Sequence, residues 1–171
     1  MSTLIVDAIT DTTGNKSPYI KNNVLQVKSS ILTTHFTFTT TSFADITGLT
    51  VDITPSSSNS KILVTAHLGA VAGGGAHAQI FGFARDSTVI GQSTASVTTA
   101  GGIGRYTGGS GDASNFESMS FQVLDSPSTT NQITYKLQGK TTGSTTYIGR
   151  WGSDSSQFGF SSSITVMEVA G

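Results

Sequence analysis

The stretch ITYKLQ, residues Ile133–Gln138, alternates apolar and polar side chains at every position, and the stretch SMSFQV, residues Ser118–Val123, does the same. Successive side chains of a β-strand point to opposite faces of the sheet, so this alternation predicts a strand with one buried and one exposed face. Both stretches are therefore predicted to be half-buried antiparallel strands.

The same pattern extends upstream. Ile62, Val64, Ala66 and Leu68 lie on one face of a predicted strand over 61–71, and Arg85–Thr88 has the composition of a hairpin turn. The glycine-rich segment Thr98–Ser114 is predicted to be a long loop rather than an element. The chain has 25 Ser, 27 Thr and 20 Gly among 171 residues, a composition that disfavours helices. We expect an all-β protein, an antiparallel β-sandwich of about eight strands in the jelly-roll arrangement.

The first 30 residues differ from the rest and predict two regions, an N-terminal docking arm over 1–30 and a head domain over 31–171. Two short apolar runs in the arm are too small to bury themselves and could add a strand to a partner. An arm that folds back on its own domain is the alternative. The residues expected to dock are Leu4, Ile5, Val6, Ile9, Val24, Leu25 and Val27.

Charge and composition exclude several classes of protein. The net charge of −1 provides no field for nucleic-acid phosphates, and no apolar run approaches the length of a membrane span. The N-terminus lacks the features of a signal peptide, so we expect synthesis in the cytoplasm. No cysteine is present, so durability must come from packing or association. Low charge density, with apolar residues on both faces of several strands, favours a homotrimer.

The sequence carries no motif for catalysis, and we expect a protein that is not an enzyme, with no cofactor and no metal. His35, His67 and His77 lack the spacing of a helical metal pair, no GxSxG motif occurs, and Gly101–Arg105 does not complete a phosphate-binding loop. The histidines are expected to be hydrogen-bonded structural residues, with an ion or a buried polar cluster as the alternative, and the strand pattern allows His67 and His77 to be cross-strand neighbours.

Five amphipathic residues are candidates for recognition of a protein or a sugar, because such side chains combine apolar area with a polar group. The alternative is that Tyr147 and Trp151 simply belong to the core. The candidates are Arg105, Tyr106, Tyr147, Arg150 and Trp151.

Several stretches resemble small bacteriophage virion proteins with a jelly-roll head, and the start of the chain is similar to that of short marine and cyanobacterial phage fibre proteins. The resemblance covers nearly the whole chain. The stretches that carry it are Met1–Leu4, Asp11–Gly14, Phe43–Pro55, Ser58–Val64, Phe83–Gly91, Thr134–Gln138, Tyr147–Arg150 and Ser163–Val169.

The resemblance implies a trimeric jelly roll of the tumour-necrosis-factor-like shape, held on the phage particle by its N-terminal arm. The chain has no shaft, heptad or collagen-like repeat, which favours a capsid decoration (cement) protein or a short spike over a long fibre. The expected partner of the arm is a coat, tail or baseplate protein, and the expected location is the virion surface. The alternative is a tail-fibre module that recognises host surface polysaccharide through the five candidate residues.

Overall fold

The structure, a computed structural model, describes residues 23–75, 77–93, 102–107, 116–151 and 159–171, with 105–107 described by their backbone. These residues form an all-β fold. No segment within these ranges forms a helix long and apolar enough to cross a membrane. The strands are β1 (Val24–Leu32), β2 (Phe36–Phe38), β3 (Ala44–Ile53), β4 (Lys61–Gly73), β5 (Ala78–Arg85), β6 (Thr88–Ile90), β7 (Gly104–Thr107), β8 (Phe116–Asp125), β9 (Ile133–Thr141), β10 (Thr146–Ile148) and β11 (Ser162–Val169).

The strands form two antiparallel sheets. The first has the order β1-β11-β4-β10-β2, and β8 pairs with the opposite edge of β4. The second has the order β3-β9-β5-β6, and β7 also pairs with β5. Strands that are neighbours in space are therefore mostly distant in the sequence, because the chain crosses between the sheets.

One hydrophobic core lies between the two sheets. Tyr135, Phe81 and Phe83 of the second sheet are fully buried, and the rings of Phe81 and Phe121 of the first sheet lie 5.6 Å apart. Each fully buried side chain of this size contributes about 1.5–3 kcal/mol relative to an exposed one. Packing between the sheets is thus the main stabilising term for the described part of the chain.

The alternation that predicted the strands is confirmed. Ile133, Tyr135 and Leu137 of β9 are buried while the residues between them are half-buried. The hairpin over 85–88 is confirmed as well, since Arg85 of β5 pairs with Thr88 of β6. Asp86 adopts a left-handed φ of 51° in this turn, a conformation that Asp tolerates better than most residues.

The prediction of an uninterrupted loop over 98–114 is wrong, because β7 lies inside it and pairs with β5. The glycine content predicts a loop here, but Gly104 is required by close packing. A Cβ at that position would overlap the ring of Phe121. Glycine within a strand can mark such a close approach rather than a turn.

Candidate functional site

One side of the first sheet points away from the core and presents a face that we call the neutral face. It consists of the outward side chains of β1, β11, β4 and β8, which the pairing register aligns in three rows across the four strands. No Asp, Glu, Lys or Arg occurs in these rows. The rows are Val27, Met167, Leu63 and Leu124; then Ser29, Thr165, Thr65 and Gln122; then Ile31, Ser163, His67 and Ser120.

Exposed apolar side chains are concentrated on this side of the sheet. Val27 is 54% exposed, Leu124 is 56% exposed and Ile31 is 62% exposed, whereas Val89 is an exposed apolar residue of the second sheet. Isolated exposed apolar residues are ordinary, but a continuous row across four strands is typical of a protein-binding surface. Three of the six exposed large apolar side chains in the part of the chain that the structure describes lie on the neutral face.

A groove of about 410 Å³ lies on the neutral face, and His67 lines it together with hydroxyl, amide and apolar side chains. The Nδ1 atom of His67 lies 3.1 Å from the Oγ of Ser120 on the neighbouring strand. The three rows contain no Asp or Glu that could orient the imidazole from its other side, which a serine–histidine nucleophile requires. The pair therefore suits hydrogen bonding to a polar partner.

The prediction that His67 and His77 are cross-strand neighbours is wrong. His67 lies on β4 of the first sheet, opposite Ser163 and Ser120, whereas His77 precedes β5 of the second sheet. Sequential strands with short connections often pair, but here the chain crosses from one sheet to the other between β4 and β5. Among the described residues, no three side chains of His, Cys, Asp or Glu lie together in a group that could hold a metal ion, and this includes the three histidines.

Two of the recognition candidates meet at the far end of the same sheet. The guanidinium carbon of Arg150 lies 4.5 Å from the centroid of the Tyr147 ring, in a cation–π contact. Tyr147 and Phe116 both pair with Ala72, from opposite edges of β4, and the Phe116 ring lies 5.4 Å from that of Phe160. The result is a group of aromatic rings on the outward side, next to the neutral face.

The other three candidates are placed less fully. Arg105 and Tyr106 lie in β7, on the second sheet, and their side chains fall outside the described part. Trp151 is half-buried at the end of a described range. The backbone therefore places Arg105 and Tyr106 on a different sheet from Tyr147, since β7 and β10 belong to different sheets.

The predicted arm lies only partly within the described residues. Leu4, Ile5, Val6 and Ile9 lie outside them, whereas Val24, Leu25 and Val27 lie in β1, which pairs with β11 of the same chain. The first sheet therefore begins within the segment predicted as the arm, in line with the fold-back alternative for residues 24–30.

A buried carboxylate connects β1 to the rest of the chain. Glu168 is fully buried; its oxygens accept hydrogen bonds from Gln26 Nε2 at 2.6 Å and from the backbone N–H and hydroxyl of Ser56 at 2.7 and 2.8 Å. Burial by itself would raise the pKa of Glu168, but these hydrogen bonds outweigh it and hold the pKa below its ordinary value. The sequence analysis did not identify this residue, although Glu168 shares the inward face with Ile164 and Val166.

A second, partly buried polar group joins the two sheets. The Asp125 carboxylate of β8 accepts hydrogen bonds from Arg85 at 2.7 Å and from the Tyr135 hydroxyl at 2.6 Å. Burial, together with the hydrogen bond to Asp125, raises the pKa of the Tyr135 phenol. Because Asp125 bonds to both Arg85 and the fully buried Tyr135, the group connects the two sheets at this point.

No protein-family model matches the chain, and no curated protein matches its sequence. The case for a function therefore depends on the surfaces described above and on the resemblance stated for the sequence.

Proposed function

We propose that the protein is a bacteriophage virion structural protein, a trimeric jelly roll that is attached to the particle surface by its N-terminal arm as a capsid decoration protein or a short spike. The observation that carries the proposal is the neutral face, a broad sheet surface suited to contact with other protein. The virion location comes from the resemblance of the sequence stretches.

The strand order supports the jelly-roll assignment. When the three-residue strands β2, β6 and β10 are set aside, two four-stranded sheets remain, β1-β11-β4-β8 and β3-β9-β5-β7. Connections that cross repeatedly between two such sheets produce the paired Greek keys of a jelly roll.

The neutral face supports self-association. In a cyclic oligomer every subunit presents the same surfaces, so a charged interface would bring like charges together unless opposite charges also matched. The three rows avoid this cost because they carry no Asp, Glu, Lys or Arg. Lys61 lies at the rim, in register with Val169, where its ammonium group can stay in water.

Substitution of Leu124 by Lys is expected to abolish the trimer, because the interface would bury an unpaired charge. The affinity between subunits should fall by at least about a hundredfold. Leu124 is 56% exposed, so the isolated chain should still fold. Light scattering after gel filtration should show three chains for the wild type and one for Leu124→Lys. The matched control is Val89→Lys on β6, which should stay trimeric. A monomeric wild type, or a trimeric Leu124→Lys, would contradict the proposal.

The arm is expected to carry the attachment to the particle. Deletion of residues 2–22 keeps β1 and its pairing with β11, so the head should fold and assemble as before. Three weak attachments on one trimer act together, and their loss should lower particle occupancy at least tenfold. Antibody labelling of intact particles in the electron microscope measures both occupancy and position. Full occupancy by the deleted chain would refute the attachment mechanism.

The same labelling separates the proposal from its alternative, a receptor-binding module for host polysaccharide. The stacked Arg150 and Tyr147, with Phe116 and Phe160 nearby, are the observation that favours the alternative, since aromatic rings and guanidinium groups bind sugars well. Label across the head would support a decoration protein. Label confined to the tail would indicate a short spike or a fibre module, and sugar binding that Tyr147→Ala abolishes without loss of the trimer would then favour the alternative.

A further inference from the structure

A layer of polar side chains closes one end of the apolar core. In the second sheet Gln79 of β5 pairs with Thr141 of β9, and in the first sheet Gly73 of β4 pairs with Thr146 of β10. Gln79 and Thr146 are completely buried, and Thr141 is 1% exposed. The alternation along each strand places these residues on the inward side, since Phe81, Val71 and Ile148 two positions away belong to the core.

The amide of Gln79 reaches across the sandwich and lies over Gly73. A Cβ at Gly73 would overlap Nε2 and Cδ of Gln79 and would lie 2.9 Å from Oε1, so the amide occupies the space that a side chain at position 73 would fill. Residues directly opposite on neighbouring strands have side chains about 5 Å apart on the same face. Gln79 Oε1 and the hydroxyl of Thr146 therefore share one small interior region between the sheets.

The polar atoms in this layer are only partly satisfied by the protein. Gln79 Nε2 donates to the His77 carbonyl at 3.0 Å, which fixes the orientation of the amide, because a flipped amide would set two oxygens against each other. Thr141 Oγ1 accepts from the N–H of Ser144 at 3.4 Å. Gln79 Oε1 and Thr146 Oγ1 are buried and have no hydrogen-bond partner in the described part of the chain.

We propose that this layer is a binding site for one small neutral ligand, an internal water molecule that donates to Gln79 Oε1 and bonds to the Thr146 hydroxyl. Buried polar atoms are satisfied in most proteins, and internal water is the usual partner where protein groups do not reach. The ligand is neutral because no carboxylate hydrogen bonds to Gln79, Thr141 or Thr146 within the described ranges, so a cation would lack a counter-charge. This site lies in the interior and is independent of the proposed function.

The direction of the change in melting temperature of a Thr146→Val variant tests the proposal. Thr146→Val keeps the shape of the side chain and removes the hydroxyl. If the hydroxyl binds water, the variant leaves that water with fewer partners and the melting temperature should fall by roughly 2–4 °C. The control is Thr37→Val, the same change on an exposed position of β2, which should alter the melting temperature by about 1 °C or less.

A crystal structure of the wild-type protein at high resolution provides the direct test. Density for a water within hydrogen-bond distance of both atoms, with lower occupancy in Thr146→Val, would confirm the site. A higher melting temperature for Thr146→Val would overturn it, because removal of an unpartnered buried hydroxyl is favourable. An anomalous peak at the same place in crystals grown with rubidium chloride would overturn it too, since it would identify a cation.

Discussion

Replacement of Glu168 by Ala is expected to lower the free energy of unfolding by about 3 kcal/mol, since one change removes the charged acceptor of the hydrogen bonds from Gln26 and Ser56. Gln26 Nε2 would keep its bond to the Thr54 carbonyl, but the N–H and hydroxyl of Ser56 would lose theirs. These donors lie on β1 and on the connection between β3 and β4, so both elements should loosen. Denaturant unfolding measures the loss of stability, and hydrogen exchange of the β1 amides shows whether β1 loosens.

The matched control is Glu117→Ala on β8, an exposed glutamate in the same sheet, for which we expect a change within about 0.5 kcal/mol. Equal stabilities of the two variants would show that the Glu168 hydrogen bonds do not stabilise the fold. The lowered pKa of Glu168 adds a pH dependence. The stabilisation should be complete above the ordinary pKa of a glutamate and should be lost as the pH falls through the lower value of the folded state.

Gly69→Ala is the second large change, with an expected loss of about 2–3 kcal/mol in the free energy of unfolding. A Cβ at position 69 would overlap the carbonyl oxygen of Ser161 and would lie 2.9 Å from the Cβ of Phe160. Backbone cannot rotate out of the way as a flexible side chain can, so β4 and the segment that leads into β11 must separate. The bonds from Gly69 N to Ser162 Oγ and from Ser118 Oγ to the Gly69 carbonyl would be strained as well.

Gly74→Ala is the control, because a Cβ there would meet only Ser144 at 3.9 Å, an ordinary contact. Its unfolding free energy should stay within about 0.5 kcal/mol of the wild type. Both variants are compared by denaturant unfolding at equal protein concentration. A Gly69→Ala protein as stable as Gly74→Ala would mean that the 159–161 segment can move away from β4 at little cost.

The strands were predictable from local pattern, and the candidate surface was not. Ile62 and Val64 of β4, like Ile133 and Leu137 of β9, alternate with polar residues and are buried as expected. Leu124 shows what the local pattern misses. The pattern indicates that Val123 points inward and Leu124 outward, but it does not show that Leu63 and Met167 lie in register beside Leu124.

Glycine marks a second limit. The glycine-rich composition predicts a loop at Gly104, but this residue lies in β7, since the requirement for a small residue comes from Phe121, which is distant in sequence. Glu168 is a similar case, because its partners Gln26 and Ser56 come from two other parts of the chain. Long-range contacts of this kind leave no local signal.

The sequence by itself determined the all-β class, the inward and outward faces of the longest strands and the hairpin over 85–88. The lack of cysteine also excluded disulfides. Only the tertiary structure decided which strands are neighbours, that β1 joins the sheet through β11, that His67 and His77 lie apart, and that three uncharged rows form one face. The physical reason is that alternation reports the environment of a single strand, whereas the order of strands in a sheet depends on contacts between residues far apart in the chain.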